Sequence, residues 1–327
     1  MTSKQVPPLL NDYKTDKFLG KGSFSSVFNS YKDGTRYAMK RVNSEDRFKK
    51  CALNEIKLLS EVNSQYIVRL EDNFIHKNIQ YLVFEYLHDN LYNYVVKKEN
   101  YPNFKTLLRY SYQMAEGLSY LHSRDIVHCD FKLENMMICS DLKNIKIIDL
   151  GSSVRADTKV KNNFYIQSRY YRAPEILYRI NFNTKIDIWS YGVLVTELIL
   201  RSNIFNGKDA SHMIYKIADY IDIPTSKDYQ DTDYFRKLFY NDRGAWIYSS
   251  QADNFKVKGY RENRLEEYLI NGLKNNFNDL YDYQIENTVS FIHKILEYDY
   301  DKRLTADQCK DEVVLLEHII DKEVVHL

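Results

Sequence analysis

The stretch Val127-His128-Cys129-Asp130-Phe131-Lys132-Leu133-Glu134-Asn135, followed fourteen residues later by Asp149-Leu150-Gly151, constrains this chain more than any other feature. An Asp, a Lys two residues on and an Asn five residues on can converge from one loop as base, phosphate-neutralising cation and metal ligand. Ile145-Lys146-Ile147-Ile148 reads as a short β-branched strand, and Gly151 then permits a sharp turn, so Asp149 falls at a strand end where it can hold Mg²⁺. Taken singly, Asp130 and Asn135 read more readily as turn residues and His128 as a packed core histidine. Their joint order and spacing point instead to phosphoryl transfer.

Upstream, Gly20-Lys21-Gly22-Ser23-Phe24-Ser25-Ser26-Val27 lies between two predicted strands, where glycines let the backbone approach a phosphate. A Gly-rich hairpin alone is a weak signal. This one stands twenty residues before Lys40 in Tyr37-Ala38-Met39-Lys40, a strand on which Ala38 and Lys40 share a face. Asp33-Gly34 marks the hairpin turn. The segment 44–62 reads as a helix that sets Glu55 inside an apolar stripe with Cys51, Ala52, Leu58, Leu59 and Val62. Unpaired burial of a carboxylate costs several kcal/mol, roughly, so Glu55 must reach solvent or meet a cation, and Lys40 is the candidate.

At 327 residues, 44% hydrophobic and 28% charged, the chain has material for a large core. A formal net charge of +1 gives no global pull toward nucleic acid or anionic membrane, and neither is expected as a ligand. Cys51, Cys129, Cys139 and Cys309 lack metal-ligand spacing and are too few for a disulfide framework, which points to a reducing compartment. No signal peptide or membrane span is read, so the expected location is nucleus or cytoplasm. The 29 tyrosines follow no period. Segments 67–70 and 80–85 read as further strands, and beyond Leu87 the pattern turns helical. Residues 107–122 and 186–200 read as buried helices, the second apolar almost all round and interrupted by Glu197. Residues 201–285 are the least regular and read as short helices and loops. Segments 288–298 and 311–325 read as closing helices.

The catalytic-loop and metal-loop pattern resembles that of protein kinases, residue for residue at Asp130, Lys132, Asn135 and Asp149. The resemblance runs from about Tyr13 to about Leu315. Within kinases, His128-Cys129-Asp130, Asp149-Leu150-Gly151-Ser152-Ser153 and Tyr165-Ile166-Gln167-Ser168-Arg169-Tyr170-Tyr171-Arg172 resemble the dual-specificity tyrosine-regulated (DYRK) family of the CMGC group. It implies an α+β, bilobal fold: a small five-stranded antiparallel β lobe with one helix over 13–87, after a tail at 1–12, and a larger, mostly α-helical lobe over 88–327 with a family-specific insert around 205–285. It further implies ATP and Mg²⁺. Asp130 and Lys132 would act with Lys40 and Glu55, and Asn135 and Asp149 would hold metal. Leu19, Gly20, Lys21, Gly22, Ser23, Phe24, Ser25, Val27, Ala38, Lys40, Phe84, Glu85, Leu87 and Met137 would surround the nucleotide, with the backbone of Glu85 and Leu87 on adenine. Glu175 and Arg303 would pair, and Asp187 would bond the backbone near His128.

Against most protein kinases, Cys129 stands for Arg, Leu150 for Phe and Leu133 for Pro, the Cys being typical of the DYRK family; against that family, Asn163 stands for the usual Tyr, Leu150 for Phe and Ser25 for Gly. Because Cys129 carries no charge, a phosphate on Tyr165 would need other cations, and Arg169 and Arg172 follow at four and seven residues. The implied activity is phosphorylation of protein Ser and Thr with autophosphorylation of Tyr165, by a monomer with no obligatory cyclin-like partner. Two alternatives are a kinase-fold scaffold that transfers nothing and a CMGC Ser/Thr kinase without tyrosine autophosphorylation. Retention of Lys40, Glu55, Asp130, Asn135 and Asp149 argues against the scaffold.

Overall fold

A computed structural model describes residues 9–22, 25–156, 166–242, 245–248 and 264–324. In chain order the elements are β1 (Leu9–Leu10), β2 (Tyr13–Lys21), β3 (Ser25–Lys32), β4 (Thr35–Val42), α1 (Asp46–Glu61), β5 (Leu70–His76), β6 (Ile79–Glu85), β7 (Asp89–Asn90) and α2 (Phe104–His122). There follow β8 (Ile126–Val127), β9 (Met136–Ile138), β10 (Ile145–Ile147), β11 (Val154–Arg155), α3 (Pro174–Tyr178), α4 (Lys185–Leu200), α5 (Ala210–Tyr220), α6 (Lys227–Gln230) and α7 (Asp233–Leu238). The chain closes with β12 (Phe239–Asp242), β13 (Ala245–Tyr248), α8 (Arg264–Asn276), α9 (Asp282–Ile295) and α10 (Ala306–Val324). Contacts divide it into two units: residues up to Leu91 with Glu134–Ser153, and Tyr92–Leu133 with Val154 onward.

The first unit is built on an antiparallel sheet of order β1-β2-β3-β4-β6-β5. Asp33 and Gly34 take φ of 50° and 77° between β3 and β4, the left-handed pair that a tight hairpin requires. Five strands match the expected sheet, and a sixth precedes them. Residues 9–12, read as tail, include a short strand whose Leu10 is 1% exposed and packs with Tyr13, Met39, Tyr81 and Val83. The strand expected at 67–70 lies instead at Leu70–His76, where exposure alternates along the edge, and Ile67 makes only an isolated bridge to Ile147. The β-branched pair Ile67-Val68 suggests a strand there, but Val68 N–H bonds the carbonyl of Ile147 rather than a neighbour in the six-stranded sheet. The helix expected over 44–62 is α1, trimmed to Asp46–Glu61. A second small sheet, β10-β9-β7, carries Met136 and Met137 into this unit.

The second unit is helical. α4 is buried along nearly its whole length, as its all-round apolar surface leads one to expect of a helix in a protein interior. α2 starts where the Asn103 side chain accepts from Thr106 N–H at 2.8 Å, satisfying one of the orphan donors of the first turn. The closing helices α9 and α10 begin six and five residues earlier than expected, at Asp282 and Ala306, because polar first turns hide a helix start from an apolar count. In the insert the structure has short helices as read, and also the β12–β13 hairpin, which no alternating pattern announced. Among the described residues no helix is long and apolar enough to cross a membrane.

Candidate active site

In the first unit β4 sets alternate side chains on opposite faces: Met39 is fully buried, while Ala38 and Lys40 share the other face. The register places Ala38 opposite Phe84, Lys40 opposite Leu82, Val27 opposite Lys40 and Gly20 opposite Val27. The expected nucleotide-side residues of the sheet are therefore neighbours on the ladder. Leu19 is partly exposed on β2, Leu87 is buried just after β6, and Met137 is half-buried on β9. Lys21 ends β2, and the N–H of Gly22 just after it bonds Ser25 carbonyl at 2.9 Å. A Cβ at Gly20 would meet no protein atom within 4 Å, so the loop leaves open space beside its backbone. Ser23 and Phe24 lie outside the described residues.

Lys40 Nζ donates to Glu55 Oε2 at 2.7 Å and to Asp149 Oδ1 at 3.0 Å. Glu55 is 2% exposed and Asp149 about a third exposed, so one ammonium bridges a buried carboxylate and an accessible one. Burial opposes charge on Lys40, but the carboxylates of Asp149 and Glu55 outweigh it and hold the ammonium above its ordinary range. Burial pushes the Glu55 carboxyl up to about 7 against the pull of Lys40, with Asp149 adding to the rise. Asp149 has φ 66°, a strained turn that ends the β10 strand and starts Leu150–Ser152. Asn135 is buried, and its carbonyl accepts from Ile148 N–H at 3.0 Å, which ties it to the residue before Asp149. Among the described residues no group of three or more His, Cys, Asp or Glu is placed to hold a metal. One carboxylate with one amide oxygen suits Mg²⁺, which is bound by one or two carboxylates plus phosphate oxygens rather than by an all-protein cage.

In the second unit Asp130 presents both carboxylate oxygens to partners: Lys132 Nζ donates to Oδ2 at 2.6 Å and Ser168 Oγ donates to Oδ1 at 2.7 Å. Lys132 also reaches Ser168 Oγ at 2.9 Å, closing a three-membered polar ring. The loop beneath is anchored by Asp187 of α4, which accepts from His128 N–H at 2.7 Å and Cys129 N–H at 3.0 Å and contacts His122 Nε2 at 3.0 Å. Cys129 has φ 64° and is buried, and burial pushes its thiol well above the ordinary value, so it packs as a neutral group. The four cysteines are all free.

Tyr165 lies outside the described residues. Arg169 is exposed at the start of a single turn, whereas Arg172 is buried and donates to the carbonyls of Ile166 at 3.1 Å and Gln167 at 3.0 Å. The two arginines thus have different settings. Glu175 and Arg303 form a fully buried bidentate pair at 2.7 and 3.2 Å, as the resemblance implies.

Several groups carry no signal in the sequence pattern. Ser168 lies within the stretch Tyr165 to Arg172 with nothing to mark it, and only the fold brings it to Asp130. Asn54 precedes Glu55 on α1 and donates to Ser153 carbonyl at 2.9 Å, fastening the helix to the segment after Asp149. Glu197 showed only as a charge breaking an apolar run; it is half-buried and accepts from Tyr171 hydroxyl at 2.5 Å.

The protein kinase domain family matches residues 13–315. This chain belongs to the protein kinase family. Among curated proteins it is similar to human dual specificity tyrosine-phosphorylation-regulated kinase 3, 31% identical over 311 residues, covering 90% of this chain and 52% of that kinase. A putative homolog of that kinase from Drosophila melanogaster is 29% identical over 321 residues, with 90% and 37% covered. Dual specificity protein kinase YAK1 of Saccharomyces cerevisiae is 36% identical over 219 residues, with 64% and 27% covered. This kinase chain spans about half the length, or less, of these relatives. They belong to the branch that the loop motifs resemble.

Proposed function

We propose that this chain is an ATP- and Mg²⁺-dependent protein kinase that phosphorylates Ser and Thr of protein substrates and autophosphorylates Tyr165. The observation that carries the reading is the pair of prepared polar centres: Lys40 held by Glu55 and Asp149, and Asp130 held by Lys132 and Ser168.

Lys40, fixed by Glu55, presents a cation to the α and β phosphates, and the open backbone at Gly20 leaves room for phosphate oxygens to approach. Asp149 and Asn135 would hold Mg²⁺, which when bound neutralises phosphate charge and orients the γ-phosphoryl group. Asp130 accepts a hydrogen bond from the substrate hydroxyl and aims it, exchanging the Ser168 partner for the incoming group. Lys132 keeps positive charge at the transferring group, where a loose transition state spreads its negative charge. Phe84, Ala38, Leu87 and Met137 supply apolar surface for adenine.

Autophosphorylation of Tyr165 rests on the likeness of segment 165–172 to the dual-specificity branch and on the names of the relatives. Cys129 supplies no charge, and Arg172 is already committed to the carbonyls of Ile166 and Gln167. Exposed Arg169 is therefore the cation that meets the phosphate. Peptide mapping of protein made in bacteria, beside the Asp130→Asn form, tests this. Phosphate on Tyr165 in the first and not the second is expected; a fully active preparation without it defeats the tyrosine claim while leaving Ser/Thr transfer standing.

A further inference from the structure

On the adenine side of the first unit, two groups outside the catalytic set hold the segment from Glu85 to Leu87. Glu85 ends β6, and its side chain turns back to the sheet at β10. There Lys146 Nζ donates to both carboxylate oxygens, at 2.6 and 2.8 Å. Arg69 N–H donates to the same carboxylate at 2.8 Å, while Glu85 N–H bonds Arg69 carbonyl at 3.2 Å. The side chains of Glu85 and Lys146 are less than a fifth exposed, so the pair is not a loose surface contact. The next residue, Tyr86, is capped by the Arg36 guanidinium of β4, 3.5 Å from the ring centre, a stacked cation–π contact. Arg36 is itself aimed, because its Nε donates to Asn29 Oδ1 at 2.5 Å and Asn29 Nδ2 donates to Asp16 Oδ1 at 2.7 Å. Asn29 is 2% exposed, which makes this relay costly to leave unpaired. Just beyond, His88 N–H bonds Ile138 carbonyl at 2.8 Å, fixing the far end of the segment to β9.

We infer that Lys146 and Arg36 are positioning residues for the purine of the nucleotide: they hold the Glu85–Leu87 backbone in one geometry, so that binding an adenine edge costs little ordering. This rests on the kinase reading, in which the backbone of Glu85 and Leu87 meets adenine. The reasoning is physical. Backbone donors and acceptors recognise a base edge only when held within a fraction of an ångström, and a segment just after a strand end is otherwise free to drift. Lys146 has a further consequence. It sits three residues before Asp149, so one strand both clamps the adenine-side segment and delivers the metal-binding carboxylate.

The test is nucleotide binding, read by titrating a fluorescent ATP analogue with Mg²⁺, alongside steady-state kinetics. Lys146→Met keeps the aliphatic stem and removes the charge; Arg36→Met does the same under Tyr86. Each is expected to raise the dissociation constant and the KM for ATP by about tenfold, while kcat at saturating ATP stays within about twofold. Lys146→Arg, which can also donate twice to Glu85, is expected to restore affinity. Glu85→Gln is expected to weaken binding, and the Lys146→Met/Glu85→Gln double variant to weaken it no further than either alone, the signature of a shared contact. Wild-type affinity in Lys146→Met and Arg36→Met would overturn the inference. So would additive losses in the double variant, or a fall in kcat as large as the rise in KM, which would mark general damage to the fold. Failure of the unaltered chain to bind the analogue at all would overturn the kinase reading first, and this inference with it.

Discussion

At the scale of single residues, the carboxylates around Lys40 act under opposite pressures. Burial makes the folded state hold a proton on Glu55 up to about pH 7, above the ordinary 4.5. The folded chain therefore binds more protons than the unfolded chain between those values, so this group's contribution to stability falls as pH rises through that window. Competence runs the other way, since the Lys40–Glu55 ion pair is complete only once Glu55 is ionised. Because kcat/KM reports groups of the free enzyme, kcat/KM for ATP should rise through about pH 7 and level off above it. A profile flat from pH 6 to 8, or nucleotide binding by Glu55→Gln that keeps the same limb, would exclude Glu55 as its source. Ser168 makes a second prediction. Its hydroxyl donates to Asp130 and accepts from Lys132, so Ser168→Ala removes one hydrogen-bond partner from each and leaves the carboxylate less firmly oriented. We expect kcat to fall by about tenfold or more with KM for ATP little changed, from lost alignment of the base. Unaltered kcat in the alanine form would show that the ring is incidental.

At the scale of elements, α4 and the segments docked on it set the catalytic loop in place. Asp187 near its start holds the backbone of His128 and Cys129, and Ser190 one turn on accepts from Gln167 Nε2 at 2.8 Å. α3 is fastened by the Glu175–Arg303 pair, with both side chains at zero exposure and Arg303 also on the carbonyls of Lys185 and Glu297. Removing one partner leaves a buried uncompensated charge. Arg303→Met should cost about 3–5 kcal/mol in urea unfolding, and adding Glu175→Met should recover much of it. A loss below about 1 kcal/mol in the single variant would mean that water reaches the pair. This pair was legible beforehand because each member lies in a recognisable motif. The β12–β13 hairpin and the strand at Leu70–His76 were not. Strand bounds there depend on which neighbour takes each backbone N–H, and the short stretch Ile67-Val68-Arg69-Leu70 carries no such information.

For the molecule as a whole, the candidate site residues were more legible in the sequence than the groups that support them. Lys40, Glu55, Asp130, Asn135 and Asp149 stand at the spacings of the protein-kinase motifs, so sequence order alone picks them out as candidates. Ser168, Asn54, Lys146 and Arg36 contact residues that are 36 to 99 positions distant, and nothing in their local pattern distinguishes them from surface or turn residues. The central claim is transfer of phosphate from ATP to protein hydroxyls with Asp130 as the aiming group. It is tested most directly by incorporation of labelled γ-phosphate into a basic protein in Mg²⁺, by the chain and by its Asp130→Asn form, with ATP affinity measured on both. The account predicts incorporation that falls by roughly 10²–10⁴-fold in the variant while ATP affinity is nearly unchanged. Equal incorporation by both forms, or none by either while ATP is bound, would contradict it.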